Sequence, residues 1–263
     1  MLRLLLFCVT LILCLTACQP GETSSTTISE TPFAPASAQE KTPAELVLDQ
    51  ALAAHSNGKY DQAHYQFVFR GKTYTFYNNG GQYTYTLTHE KDGSVLFDQL
   101  VNGEFTRQVD GSTVSLSVKE TASGIEGLNS VIYFATLPHK LSDPAVNLQL
   151  SGTDTIKGQA YDVLDVNFNK EGGGVDHDDN FRYWINQETH RIDYLAYDYL
   201  TSGGGVRFRS AYNPRVVDGV LFQDYVNYKA PLGTPLSDLA AMFDNGDLEK
   251  LSVIATEEVV SIQ

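Results

Sequence analysis

Polar and apolar positions change period along this chain, and the changes mark its elements. An apolar run from Leu4 to Leu15 follows a single charge, Arg3. It falls short of the ~20 residues needed to span a bilayer and has the form of a signal-peptide core. From 19 to 40 the composition shifts to Ser, Thr, Pro, Ala and Glu, which cannot build a core and reads as a tether. Thr42-Pro43-Ala44-Glu45 then forms a capping box with proline at the first helical position. Ala44, Val47, Leu48, Ala51 and Leu52 share one face of the predicted helix, which Asn57-Gly58 ends.

Beyond residue 64 the period is two. Tyr65, Phe67 and Phe69 alternate with polar neighbours, and Tyr74 and Phe76 repeat the pattern. Turn signals at Asn79-Gly80, Asp92-Gly93, Asn102-Gly103 and Asp110-Gly111 divide the stretch into an antiparallel meander. Residues 125–141 interrupt the alternation. Ile125, Leu128, Val131, Ile132 and Ala135 predict a short helix closed by Pro138. Strands resume near Val146 and at 161–168, 181–185, 191–200, 206–212 and 216–228, with Asp218-Gly219 as a turn or bulge. Thr234-Pro235 opens another capped helix, and 251–262 ends the chain as a strand. The pattern predicts an α+β protein: a large curved antiparallel sheet with a few covering helices on its concave side. With no internal repeat and no second linker, 41–263 reads as a single domain after a signal peptide (1–17) and a tether (18–40); a sandwich divided near residue 140 is the alternative.

Cys18 changes the picture of the N-terminus. Leu15-Thr16-Ala17-Cys18 has the form of a bacterial lipoprotein cleavage site, an aliphatic residue and two small ones before a cysteine. Its thiol is the group that would carry the lipid, and two or three acyl chains exceed the one-chain threshold for stable anchoring. Gln19, not Asp, follows Cys18, which resembles outer-membrane routing. The three cysteines are Cys8, Cys14 and Cys18, so a chain cut before Cys18 has no disulfide, no thiolate metal site and no cysteine nucleophile beyond it. The formal charge is −14, from 18 basic and 32 acidic residues. That balance argues against nucleic-acid binding and against electrostatic attraction to anionic headgroups. Attachment to a membrane is expected through lipid alone.

Three features could carry chemistry. In the loop 171–179, Asp176, His177, Asp178 and Asp179 gather three carboxylates and an imidazole, without EF-hand or zinc-site spacing. A solvated loop is the simpler reading, ahead of a site for a hard cation such as Ca²⁺ or another ligand and of a general acid/base role for His177. Five of the eight arginines lie between 182 and 215. These five, Arg182, Arg191, Arg207, Arg209 and Arg215, with Arg207 and Arg209 on one strand face, read either as an anion-binding surface or as partners of Asp193, Asp198 or Asp224 across strands. Aromatic residues crowd the strands, with Trp184, Tyr194, Tyr197 and Tyr199 among them; they line a cavity if the sheet encloses one and otherwise pack as core. Gly-x-Ser-x-Gly, Walker and GxGxxG patterns are absent, and Gly203-Gly204-Gly205 precedes a strand, not a helix. No metal or cofactor is expected.

The segments Phe181-Arg182-Tyr183-Trp184-Ile185-Asn186, Ile192-Asp193-Tyr194-Leu195-Ala196-Tyr197, Gly203-Gly204-Gly205-Val206-Arg207-Phe208-Arg209 and Phe222-Gln223-Asp224-Tyr225 resemble a family of uncharacterised Gram-negative lipoproteins, a domain of unknown function. Phe69-Arg70-Gly71-Lys72 and Tyr74 fit it too. More loosely, the order of elements and the hairpin at 184–194 are similar to the lipoprotein-localisation (Lol) proteins. That resemblance implies a half-open barrel with an apolar cavity for acyl chains; the acidic loop and the arginine-rich strands depart from it. The expectation is a non-enzymatic, lipid-anchored binding or carrier module of the cell envelope, at the outer membrane. It would take an apolar or amphipathic small molecule or an envelope protein partner. The alternatives are an exported enzyme, hydrolytic in kind, that uses the 176–179 loop with nearby arginines, and a ligand-free surface scaffold.

Overall fold

The computed structural model describes residues 40–171 and 179–262, apart from the Ser202 side chain, and residues from Glu40 onward form one compact unit. Helix α1 (Pro43–His55) begins on the expected capping box: Thr42 Oγ1 accepts from the Glu45 amide at 3.3 Å, and Glu45 returns the bond to the Thr42 amide at 2.6 Å. Strands β1 (His64–Phe69), β2 (Lys72–Asn79), β3 (Gln82–Lys91), β4 (Ser94–Val101), β5 (Glu104–Val109) and β6 (Ser112–Thr113) follow as a meander. Their hairpins turn on two-residue loops with both residues at positive φ, as at Asp92-Gly93 (54°, 81°) and Asn102-Gly103 (48°, 93°). This geometry matches the right-handed strand twist and explains the Asn/Asp-Gly pairs. After β2 the turn itself is Gly80-Gly81, one residue beyond the Asn79-Gly80 signal.

Helix α2 (Val118–Ala135) is longer than the pattern predicts and starts seven residues earlier. A second capping box opens it, Ser117 with Glu120. Only Leu128 and Ile132 are fully buried along it, so its first half carries almost no apolar periodicity. Strands β7 (Val146–Ile156), β8 (Gln159–Phe168), β9 (Asn180–Asn186), β10 (Ile192–Tyr199), β11 (Gly205–Val217) and β12 (Val220–Ala230) form a second meander. Helix α3 (Leu239–Asn245) leads into β13 (Glu249–Ile254) and β14 (Glu257–Ser261).

The large antiparallel sheet exists as two seven-stranded halves. Their orders are β14-β1-β2-β3-β4-β5-β6 and β13-β12-β11-β10-β9-β8-β7. The single C-terminal strand expected at 251–262 divides at Ala255-Thr256, where its first part pairs with β12 and its second with β1. One continuous segment thus joins the halves, while β6 and β7 at the far edges stay unpaired with each other, giving a half-open barrel. Helix α2, between β6 and β7 in the chain, packs against both halves. Leu128 and Ile132 pack among Phe67, Phe76, Tyr85 and Leu100 of the first half, and Tyr133 and Phe134 pack against the core of the second half.

The second half is covered on both faces, because alternate residues of its strands point to opposite sides. Leu164, Tyr183, Ile185 and Leu195 meet α1. Val163, Trp184, Ala196 and Phe208 meet Leu239, Ala240 and Phe243 around α3. Helix α3 therefore lies on the opposite face from α1, not beside it on the concave side. Aromatic residues on both faces of β10 follow from this double cover.

Candidate functional site

Between the last two turns of α2 and strands β1 and β10–β13 lies a cavity of about 320 Å³. Phe67 and Phe69 of β1, Val131, Phe134 and Ala135 of α2, Tyr197 of β10, Tyr225 of β12 and Ile254 of β13 supply a largely apolar wall. The volume sits at the lower end of the ~300–1,000 Å³ typical of small-molecule pockets. A more open recess of about 430 Å³ continues outward under α2 and shares Phe69, Arg70, Ser130 and Val131 with the cavity. Lys72 and Glu126 stand at its rim.

The polar part of the wall comes from β11 and β12. Arg209 is 7% exposed. Its guanidinium carbon lies 3.7 Å from the centre of the Phe134 ring and 5.1 Å from that of Tyr197. One hydrogen bond reaches it, from Nη2 to Tyr197 Oη at 2.8 Å. Nε and Nη1 are buried without a hydrogen-bond partner among the described residues. Directly opposite in the β11–β12 register stands Asn227, whose Oδ1 is also buried and unmatched. The cavity wall contains two arginines, Arg70 and Arg209, and no carboxylate, in a chain with 32 acidic residues. Burial raises the hydroxyls of Tyr183 and Tyr225 above their ordinary range. Tyr133 and Tyr183 share a 2.5 Å hydrogen bond behind the wall.

The floor is fixed by a polar knot at the crossing between the halves. Asp224, 4% exposed, accepts from Arg215 Nη1 at 3.1 Å, Asn213 Nδ2 at 2.7 Å and the Thr256 amide at 3.0 Å. Arg215 Nη2 also donates to the Thr256 carbonyl and hydroxyl. Thr256, which lines the cavity, is thus held from both sides. Arg215–Asp224 is the cross-strand pairing that the sequence offered as one reading of its arginines. Arg182 makes a similar fork on Asp165, at 2.6 and 2.7 Å. Arg209 differs from both in having no acid.

Of the predicted site residues, Tyr197 and Arg209 meet in this cavity. Arg207 donates to Tyr199 Oη at 2.5 Å and to the Val206 carbonyl at 3.0 Å, and is not part of the wall. Trp184 and Tyr194 lie on the other face of the sheet in the cluster with α3, with Trp184 Nε1 donating to Asp154 Oδ2 at 3.0 Å. Asp179 is buried just before β9. Cys18, Asp176, His177 and Asp178 fall outside the described residues. Among the described residues no group of three or more His, Cys, Asp or Glu could hold a metal ion, and no helix is long and apolar enough to cross a membrane. Phe134, Asn227 and Thr256 were not foreseen as site residues. The Ser117-x-x-Glu120 box was the available signal for α2; nothing in the sequence marks Asn227.

No curated protein matches this chain. It is similar in structure to a LolA superfamily protein from Nitrosomonas europaea, with 12% identity over 85% of this chain and 95% of that one and a TM-score of 0.46. It is also similar to a DUF1329 family protein from Desulfovibrio piger, with 12% identity, coverage of 84% and 94% and a TM-score of 0.41. For a putative outer membrane lipoprotein-sorting protein domain from Vibrio parahaemolyticus the values are 9%, 83% and 93%, and 0.42. Residues 44–258 match the model of a family of unknown function, DUF6503, and the chain belongs to that family.

Proposed function

We propose that this protein is a lipid-anchored envelope lipoprotein whose folded body is a non-enzymatic binding or carrier module for an amphipathic ligand. The observation that carries the reading is the cavity under α2, walled by aromatic and aliphatic side chains and closed on one side by a helix whose first half is little buried. A fully packed sheet would leave no such space. Cys18 supplies the anchor and the acidic tether at 19–40 holds the body near the bilayer without electrostatic adhesion. Gln19 supports outer-membrane routing.

The test is native mass spectrometry of the purified protein, as isolated and after loading with dodecyl amphiphiles. The reading expects a one-to-one adduct that is lost when Ala135→Trp fills the cavity. A protein that takes up no amphiphile, or takes it up equally with the cavity filled, would refute it.

A further inference from the structure

Arg209 and Asn227 make the inner wall of the cavity chemically specific. A guanidinium carries five N–H donors. On Arg209 the single N–H of Nε and the two of Nη1 are buried without hydrogen-bond partners. Among the described residues its only hydrogen bond is to a neutral hydroxyl, that of Tyr197, and its flat faces meet the Phe134 and Tyr197 rings. Stacking on rings satisfies the faces of the guanidinium and leaves its edge donors unmet. Elsewhere in this protein half-buried arginine forks close on carboxylates, as Arg107 does on Asp98 at 2.5 and 2.7 Å and Arg182 on Asp165. Asp224, on the neighbouring strand β12, is taken up by Arg215, Asn213 and Thr256. Burying a charge without a counter-charge is costly, and here the missing counter-charge faces an open volume.

We propose that the cavity takes an anionic amphiphile head first, its carboxylate or phosphate closing on Arg209 and its chain leaving along the aromatic wall toward α2. This deepens the binding-module reading and rests on it. The anion completes the guanidinium edge in a dry site, where a charge-assisted hydrogen bond is at its strongest. Unmatched Asn227 Oδ1 accepts from a hydroxyl or N–H beside the anion, which favours heads that carry such a donor. Arg70 and Lys72 outnumber the one acid, Glu126, in the outer recess, so the entry carries net positive charge in an otherwise acidic protein and steers an anion inward. A neutral or cationic head brings no counter-charge to Arg209.

The full chain, stripped of copurified lipid, would be titrated calorimetrically with dodecanoate, dodecanol, dodecyltrimethylammonium and acetate, the amphiphiles below their micelle concentrations. Dodecanoate should bind at least ~10-fold tighter than dodecanol, the size expected of a hydrogen-bonded charge, and dodecyltrimethylammonium most weakly. Arg209→Gln should erase the preference while keeping dodecanol binding, and Arg209→Lys, which keeps the charge and loses the fork, should retain part of it. The lysine variant and Asn227→Ala keep the test decisive if the glutamine variant does not fold. Equal binding of dodecanoate and dodecanol, or a preference that survives in Arg209→Gln, overturns the proposal and leaves the binding-module reading standing. Acetate binding as tightly as dodecanoate overturns it in favour of a small-anion site. Binding of none of the four sinks both readings together.

Discussion

Two glycines on α2, three residues apart, give a sharp test of how the helix is seated on the strands. Gly in a helix interior costs about 0.5–1 kcal/mol relative to Ala. On propensity alone Gly124→Ala and Gly127→Ala should stabilise equally. The structure separates them. A Cβ on Gly127 meets nothing within 4 Å. A Cβ on Gly124 would lie 2.6 and 2.8 Å from Cε1 and Cε2 of Phe105, and closer still to Cζ. Phe105 on β5 packs in the core of the first half, with the Arg107 guanidinium 5.8 Å from its ring centre. The ring must shift or the helix must lift, and such overpacking costs about 1–3 kcal/mol. Gly127→Ala should therefore gain about 0.5–1 kcal/mol. At ~2–4 °C per kcal/mol for a body of this size, its melting temperature rises by about 1–4 °C. Gly124→Ala should gain nothing or lose up to about 2.5 kcal/mol, the overpacking less the propensity gain. Urea unfolding followed by circular dichroism measures the gap, and adding Phe105→Ala to Gly124→Ala should close most of it as a coupling energy. A gap below about 0.5 kcal/mol, within the scatter of additivity, would show that α2 does not rest on β5 as described.

Asp224→Ala should destabilise by about 3 kcal/mol, the low end for breaking a buried pair because Arg215 stays partly exposed; a loss under 1 kcal/mol in denaturant melts would contradict the knot at the crossing. His55 is buried, accepts the Ile192 amide at 3.1 Å, and is held neutral down to about pH 4 by burial and by Arg191 nearby. An unfolded histidine takes its proton near pH 6.5. Stability is therefore fully present above about 6.5 and falls with acidification toward 4, by on the order of 3 kcal/mol. His55→Gln should flatten that part of the stability–pH curve, and an unchanged slope would count against the buried neutral imidazole. Cys18→Ser should abolish incorporation of labelled palmitate and release the protein from the membrane fraction; retention of the label would place the anchor elsewhere.

Most of the fold was legible because it is built from local rules. The alternation of Tyr65, Phe67 and Phe69 and the Asn-Gly and Asp-Gly pairs fix strand face and hairpin turn within a few residues. Helix α1 was legible for the same reason, through its cap and its apolar stripe. The first half of α2 was not, since Val118, Gly124 and Gly127 give it no buried stripe and only the Ser117/Glu120 box announces it. The division at Ala255-Thr256 was hidden because both parts of the segment have strand character, and the choice of partner is made by β12 and β1, far away in sequence. Of the site, Tyr197 and Arg209 were visible as an aromatic and a basic residue on neighbouring strands. That Arg209 lacks an acid while Arg182 and Arg215 have one depends on register and could not be read from the residues alone. Trp184 and Tyr194 carried the same aromatic signal as Tyr197, and the parity of their strands against α3 sent them to the other face.

The crossing at Ala255-Thr256 has a kinetic consequence. Strand β1 is made among the first, and its partner β14 among the last, nearly the whole folded body apart in sequence. Loop closure over such a distance is entropically expensive and slow. Until the final segment arrives, β1 and β12 each present a row of unpaired amides and carbonyls to whatever strand is near. The segment 249–261 therefore acts as the latch on two adhesive strand edges, and the period before it docks is when those edges are most open to misassembly.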